Sequence, residues 1–332
     1  MPAALVTGVT GMVGSHIVEQ LLRSGWEVRG LVRSESAAAA VRELGASAVT
    51  GDVLDAASLN KAAREATVIF HTAAAITEGG GWDAYRRINV EGTSNIIAAA
   101  EQSGARLVHL SSVAVYGSTG RYGATKTSED TALGPLNERS YYARSKRESE
   151  ELVMQAHAEG RIWATAVRPD VIYGPRDRQF VPRIAGAIRL GVMPLLNGGR
   201  SILAIVHAAN VAEGAILAAM SPAAGGRSYN LANDYDVTVR EFFTLAAQGL
   251  GRRIAFVNVP LSVARGGLMA FRAVDRMALG GRFAVATEGS LSFMSRDNPF
   301  TSDRARRELG WNPSVRPEVG VPAAFRWFRD QS

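Results

Sequence analysis

The chain of 332 residues contains no cysteine, which excludes disulfides, thiolate nucleophiles and cysteine-held metals. Its five histidines, His16, His71, His109, His157 and His207, match no metal-ligand spacing, so no metal site is expected. No apolar run reaches the ~20 residues that span a bilayer, and no basic stretch followed by a long apolar one opens the chain. Neither an integral membrane segment nor secretion is therefore expected, and the cytoplasm is the default location. The net charge is +6, but the cations are scattered, mostly arginine, and form no nucleic-acid module, so nucleic acid is not an expected partner. With 47% hydrophobic and 20% charged residues, the composition is that of an ordinary globular protein with one large domain or two moderate ones.

What is present begins at Ala3. The apolar run Ala3 to Val6 reads as a buried strand, and the pattern switches to helical spacing at Val13, Ile17, Val18, Leu21 and Leu22. Three glycines punctuate the switch. Gly8 allows a tight turn off the strand, Gly11 allows a pyrophosphate to approach the backbone, and Gly14 allows close helix packing. Free amides at that helix start favour an anion. A strand, a glycine loop and a helix in this order point to dinucleotide binding.

The strand and helix pattern then repeats. Trp26 to Val32, Ala46 to Thr50, Thr67 to His71, Leu107 to Leu110 and Ile162 to Val167 read as strands, with helices between them. This alternation predicts an α/β fold, a Rossmann-type doubly wound parallel sheet, with ligands beyond the carboxyl ends of the strands. The second strand ends in Arg33-Ser34 rather than an acid, which favours NADP over NAD; Arg33 is alternatively a loop charge or an adenine stack. Asp52 is placed either to accept from the adenine amino group or to cap a turn. His71 reads as a satisfied strand-end histidine, and a long helix is expected from Asn89 through Ala100.

Tyr142 and Lys146 stand four apart at the start of a helix and so share a face. A free phenol titrates near pH ~10, and an adjacent ammonium favours its phenolate. Lys146 is also placed to bond ribose hydroxyls. Ser112, at the rim after the fifth strand, would hold a substrate oxygen while Tyr142 passes the proton.

Together, Thr7 to Gly14, Gly51-Asp52-Val53, His71 to Ala74, Ser111 to Gly117, Tyr142 to Lys146, Arg168 to Pro175 and Thr301 to Pro313 resemble, in order, the extended short-chain dehydrogenase/reductases, the NAD-dependent epimerase/dehydratase family. The resemblance implies Ser112, Tyr142 and Lys146 as the catalytic set. It implies cofactor contacts at Gly8, Thr10, Gly11, Met12, Val13, Arg33, Asp52, Val53, Ala73, Ala74, Lys146, Pro169 and Val171. It further implies a nucleotide domain over 1–172 with a return segment near 204–222, a smaller, mostly helical C-terminal substrate part over 173–332, and a homodimer through the helices carrying Asn95 and Tyr142. Asn210 stands where the family usually has an aspartate and reads alternatively as a helix cap.

Nucleotide-sugar members usually carry an arginine where this chain has Leu203, and often an asparagine where it has Asp170. Apolar side chains dominate the C-terminal part: Leu261, Leu268, Met269, Phe271, Val274, Met277, Leu279, Phe283 and Phe293, as core packing or as a lid. The expectation is an NAD(P)-dependent oxidoreductase that moves hydride between nicotinamide and a carbonyl or secondary alcohol of a fairly apolar small molecule. The alternative is a nucleotide-sugar epimerase or dehydratase with tightly bound NAD.

Overall fold

The structure is a computed structural model and describes residues 1–76, 81–117, 126–267 and 288–331. The chain forms two units. The first comprises Met1–Ile172, Val206–Asp234 and Phe300–Ser314; the second comprises Tyr173–Ile205, Tyr235–Pro299 and Val315–Ser332.

The first unit is built on seven parallel strands: β1 (Ala3–Thr7), β2 (Glu27–Val32), β3 (Ser47–Thr50), β4 (Val68–His71), β5 (Arg106–Leu110), β6 (Ala164–Pro169) and β10 (Ser228–Leu231). Their order across the sheet is β10-β6-β5-β4-β1-β2-β3. Chain direction across the sheet reverses between β1 and β4, which opens a crevice at their carboxyl ends.

Alternation sorts the side chains. Ala4, Val6, Val68, Phe70, Val108 and Val167 join one buried cluster with Val18 and Leu21 of α1 (Met12–Arg23), Val41 of α2 (Glu35–Glu43) and Val211 of α8 (Ala208–Met220). Leu5, Leu31, Ile69, Leu107 and Ala164 join the other, with Leu59 of α3 (Ala56–Ala63), Ile96 of α5 (Gly92–Ser103) and Val153 of α6 (Tyr141–Ala158). Both faces are covered, which is why β1 and β4 read as unbroken apolar runs rather than alternating ones.

The helix expected from Asn89 begins differently. A short α4 (Gly81–Tyr85) leads into a π-helical segment, Arg86–Glu91, and regular α-helix resumes only at Gly92. After β6, a short β7 (Val171–Tyr173) follows; β9 (Ile205–His207) precedes α8.

Besides the return segment Val206–Asp234, the first unit takes in Phe300–Ser314. The segment with α11 (Asp303–Leu309) belongs to the first unit, where Ser302 Oγ accepts from the amides of Ala232 and Asn233 at 3.0 and 3.1 Å. Trp311 is 1% exposed and donates through Nε1 to the Asn210 carbonyl at 2.9 Å. Asn210 is therefore not a helix cap: its Nδ2 donates to Asp234 at 2.8 Å, and the side chain that caps α8 is His207.

The second unit contains α7 (Phe180–Ile188), α9 (Val239–Gly249), α10 (Glu288–Ser295), α12 (Pro317–Gln331) and a parallel pair, β8 (Val192–Leu195) with β11 (Ala255–Asn258). Phe242 is its packing centre, with the rings of Tyr173, Phe180, Phe243 and Phe325 within 6.0 Å of its own. Thr238 and Glu241 form a reciprocal capping box at the start of α9. Leu261 packs with Leu196 and Leu291, and Phe293 meets Phe180 edge-on. Leu268, Met269, Phe271, Val274, Met277, Leu279 and Phe283 lie outside the described residues. No described helix is long and apolar enough to cross a membrane.

Candidate active site

The glycine loop is shaped by backbone contact. Gly8 has φ +67°, and a Cβ there would lie 2.7 Å from the Ala73 amide nitrogen, so both conformation and space require glycine. The Gly11 amide closes the turn onto the Gly8 carbonyl at 2.8 Å. A Cβ on Gly14 would lie 2.4 Å from that same carbonyl and 2.9 Å from Thr72 Oγ1, so this glycine lets α1 close onto its own loop and the end of β4. No side chain caps α1, which leaves its first amides open to an anion.

That loop forms one wall of a cavity of about 810 Å³ within the first unit. Gly8, Thr10, Gly11, Met12, Val13, Arg33, Asp52, Val53, Ala73, Ala74, Lys146 and Pro169 all line it, as do Ser112 and Tyr142. Val171 does not: strand alternation on β7 puts Ile172 on the wall instead. Arg33 Nη1 stands 3.9 Å from Asp52 Oδ2, and Asp52 Oδ1 also accepts from the Leu54 amide at 2.9 Å, a turn-closing bond. Sequence reasoning missed Ile76, Ala84, Arg87 and Ile88 on the wall. No motif announces them: Ala84 lies on α4, Arg87 and Ile88 lie on the π-helical segment rather than at a strand end, and Ile76 follows the small residues after β4.

Ser112 begins the 3-10 turn Val113–Tyr116, where its Oγ accepts from the Ala114 amide at 3.2 Å. The Ser112 side chain acts directly on the Tyr142 phenol, so two hydroxyls converge at the rim of β5. Burial pushes the Tyr142 phenol above its ordinary value; the Ser112 hydroxyl works against this, and the nearby Tyr85 phenol adds to it. The expected ammonium effect is absent from this balance. Lys146 Nζ instead donates to the Leu110 carbonyl at 2.6 Å, and burial brings the lysine down to about 8 against the opposing pull of Glu150. Burial thus favours the protonated form of the Tyr142 phenol.

The π-helical segment positions Asn89 as a clasp. Asn89 Oδ1 accepts from the Ala75 amide at 2.7 Å, and Nδ2 donates to the Ala75 carbonyl at 3.0 Å and to Ser145 Oγ at 2.9 Å. Ser145 Oγ donates in turn to the Tyr142 carbonyl at 2.9 Å. The loop after β4 and the first turn of α6 are thus joined through one amide.

The chain is similar to known proteins over nearly its whole length. A 4-hydroxy-2-methyl-3-oxo-4-farnesyl-3,4-dihydroquinoline-1-oxide ketoreductase of Stigmatella aurantiaca is 34% identical over 322 residues, 96% of this chain and 94% of its own. A 2-alkyl-3-oxoalkanoate reductase of Shewanella oneidensis is 27% identical over 334 residues, 96% of this chain and 84% of its own. Among solved structures, that of gox2253 matches with a TM-score of 0.77 at 28% identity, covering 100% of this chain and 99% of that one. The profile of the NAD dependent epimerase/dehydratase family matches residues 4–232, from β1 past the end of β10. The chain belongs to the NAD-dependent epimerase/dehydratase family, the extended short-chain dehydrogenase/reductases.

Proposed function

We propose that this chain is an NADP-preferring ketoreductase that interconverts a carbonyl and a secondary alcohol on a fairly apolar small molecule. The observation that carries the reading is the Ser112–Tyr142 hydroxyl pair on the wall of the cavity into which the glycine loop opens. The cavity fits a nicotinamide dinucleotide: uncapped α1 amides suit the diphosphate, and Gly8 and Gly14 leave backbone where any Cβ would intrude. When bound, that cofactor supplies or accepts the hydride.

The protein residues then have distinct tasks. Ser112 holds the substrate oxygen and stabilises charge developing on it. Tyr142, protonated by its burial, delivers the proton to that oxygen during reduction and takes it back during oxidation. Lys146 contributes its ammonium to the same buried corner and reaches the nicotinamide ribose hydroxyls. Gly8, Thr10, Gly11, Met12 and Val13 grip the diphosphate; Asp52 and Val53 flank the adenine; Ala73, Ala74 and Pro169 border the cofactor, with Ile172 in the place expected of Val171. Arg33, exposed at the end of β2 with no acid beside it in sequence, takes the 2′-phosphate.

The apolar substrate class is supported by the 34% identical relative, the ketoreductase of a 3-oxo-4-farnesyl-dihydroquinoline-1-oxide. The nucleotide-sugar alternative is disfavoured by Leu203, which is 1% exposed and apolar where a diphosphate-binding arginine would be needed. The same reading takes the protein as a cytoplasmic homodimer joined through α5 and α6; sedimentation at two concentrations tests the pairing. The deciding assay gives the purified protein NADPH and a panel of aliphatic, aromatic and terpenoid ketones. Ketone-dependent NADPH consumption is the expected result. A protein that instead retains NAD and interconverts sugar nucleotides without net cofactor use would overturn the assignment.

A further inference from the structure

Behind Lys146 lie two buried histidines that the proposed chemistry does not use. His71 on β4 and His109 on β5 are partners in strand register, each 1% exposed, with ring centroids 5.5 Å apart. Their hydrogen bonds fix their tautomers. Thr93 Oγ1 spends its proton on the Asn89 carbonyl at 2.6 Å, so it must accept from His71 Nε2 at 3.0 Å; His71 Nδ1 is then free to accept from Thr7 Oγ1 at 2.8 Å. Ser149 Oγ likewise donates to the Lys146 carbonyl at 3.1 Å and must accept from His109 Nε2 at 3.2 Å. His109 therefore carries its proton on Nε2, and its Nδ1 is a bare lone pair with no partner among the described residues.

The next residue on β5, Leu110, supplies the carbonyl that accepts from Lys146 Nζ. The Leu110 carbonyl takes one of the three N–H donors of that ammonium, and the His109 ring one residue before it lies within the field of the same charge. We propose that His109 is a positioning residue for Lys146: its ring, locked by Ser149, offers an unprotonated nitrogen that favours the charged, carbonyl-anchored state of the lysine. The other titratable groups around Lys146 are His71 from β4, Tyr142 and Glu150 on its own helix, and Asp170 after β6; the π-helical segment brings Arg87 to the cavity wall beside the uncharged Asn89, and α5 brings the uncharged Thr93. Both histidines are held neutral by burial and by the Lys146 charge itself, which keeps the lone pair available.

This inference rests on Lys146 acting as proposed above, and the test separates the two. The chain has three lysines, Lys61, Lys126 and Lys146, so isotope labelling of the lysine side chains gives three signals, and Lys146→Ala assigns the one of interest. The titration of that signal in the cofactor-free protein is followed alongside the alkaline limb of kcat/KM for ketone reduction. His109→Phe, which keeps a ring but removes the nitrogens, is expected to move both midpoints downward by about half a pH unit or more. His109→Leu serves in its place if the phenylalanine does not fold. His109→Gln, which retains a donor for Ser149 and an acceptor, is expected to restore the wild-type midpoints. Unchanged Lys146 titration in both His109→Phe and His109→Leu would overturn the inference even where turnover falls. Full turnover by Lys146→Ala would instead overturn the role given to Lys146, while its titration still judged the link to His109.

Discussion

His71 makes acid stability a quantitative test of how the sheet is packed. Its ring is held neutral in the native state, with a pKa lowered from 6.5 to about 3, first by burial and then by the Lys146 charge. The unfolded chain takes up a proton near pH 6.5, and the folded one does not until about 3. Folded protein therefore binds fewer protons across this window, and stability falls as pH falls through it, by about 1.4 kcal/mol per pH unit. Between pH 8 and pH 5 this amounts to about 2 kcal/mol for His71. His207, also lowered to about 3, adds a similar amount, and His109 acts in the same direction. A loss of about 4 kcal/mol is a large part of the ~5–15 kcal/mol that holds a typical fold together. Glu129 and Asp177, whose carboxyls burial pushes up, work the opposite way in acid, so a comparison with a variant is needed. Urea unfolding of the wild type and His71→Gln at pH 8 and at pH 5 supplies it. The variant is less stable at pH 8, having lost the bonds to Thr7 and Thr93, but its loss on acidification is smaller by about 2 kcal/mol. Equal losses in the two proteins would refute the reasoning, because they would mean that His71 titrates alike in both states.

Other substitutions probe the remaining parts. Tyr142→Phe removes the proton donor and is expected to lower kcat by about 10²–10⁴-fold with cofactor affinity nearly constant, which stopped-flow reduction and cofactor titration measure separately. Arg33→Asp should shift the ratio of kcat/KM values from NADPH toward NADH; an unchanged ratio would place recognition of the 2′ end elsewhere. Glu150→Ala leaves the Arg168 guanidinium, 8% exposed, without its carboxylate and is expected to cost about 3–5 kcal/mol in denaturant unfolding. Since Lys146 loses its proton near 8, kcat/KM should decline above that pH in the wild type, and the decline should be absent from the residual activity of Lys146→Ala.

The sheet was legible because its strands are covered on both faces, and Ala3 to Val6 or Val68 to Phe70 could satisfy that environment only as continuous apolar runs. The glycine loop was legible for a different reason: at Gly8 and Gly14 backbone atoms stand where a side chain would go, and no other residue type fits. Tyr142 and Lys146 could be paired by their spacing, but the state of the phenol could not. Spacing reports which face a residue shares, whereas the charge balance depends on the Leu110 carbonyl taking the ammonium and on how deeply the ring is buried. The π-helical segment was invisible because Arg86 to Glu91 has an ordinary helical composition; its extra residue per turn is visible only in three dimensions, through the bonds Asn89 makes to Ala75 and Ser145. For Asn210 the sequence left a cap open as one of two readings, because a polar residue near a helix start often caps it; here His207 takes that position and Asn210 bonds Asp234.

The interleaved connectivity has a consequence for biogenesis. The nucleotide-binding unit is not finished when its last strand, β10, has been synthesised, since Trp311 and Ser302 arrive about seventy residues later and fill its interior. A ribosome-bound chain ending at Pro299 would hold every strand of the sheet yet leave Gly214 and Leu231 without the indole that packs on them. Maturation of this half of the protein therefore waits for the near-complete polypeptide, and truncations from the C-terminal side should damage cofactor binding well before they reach any residue of the cavity.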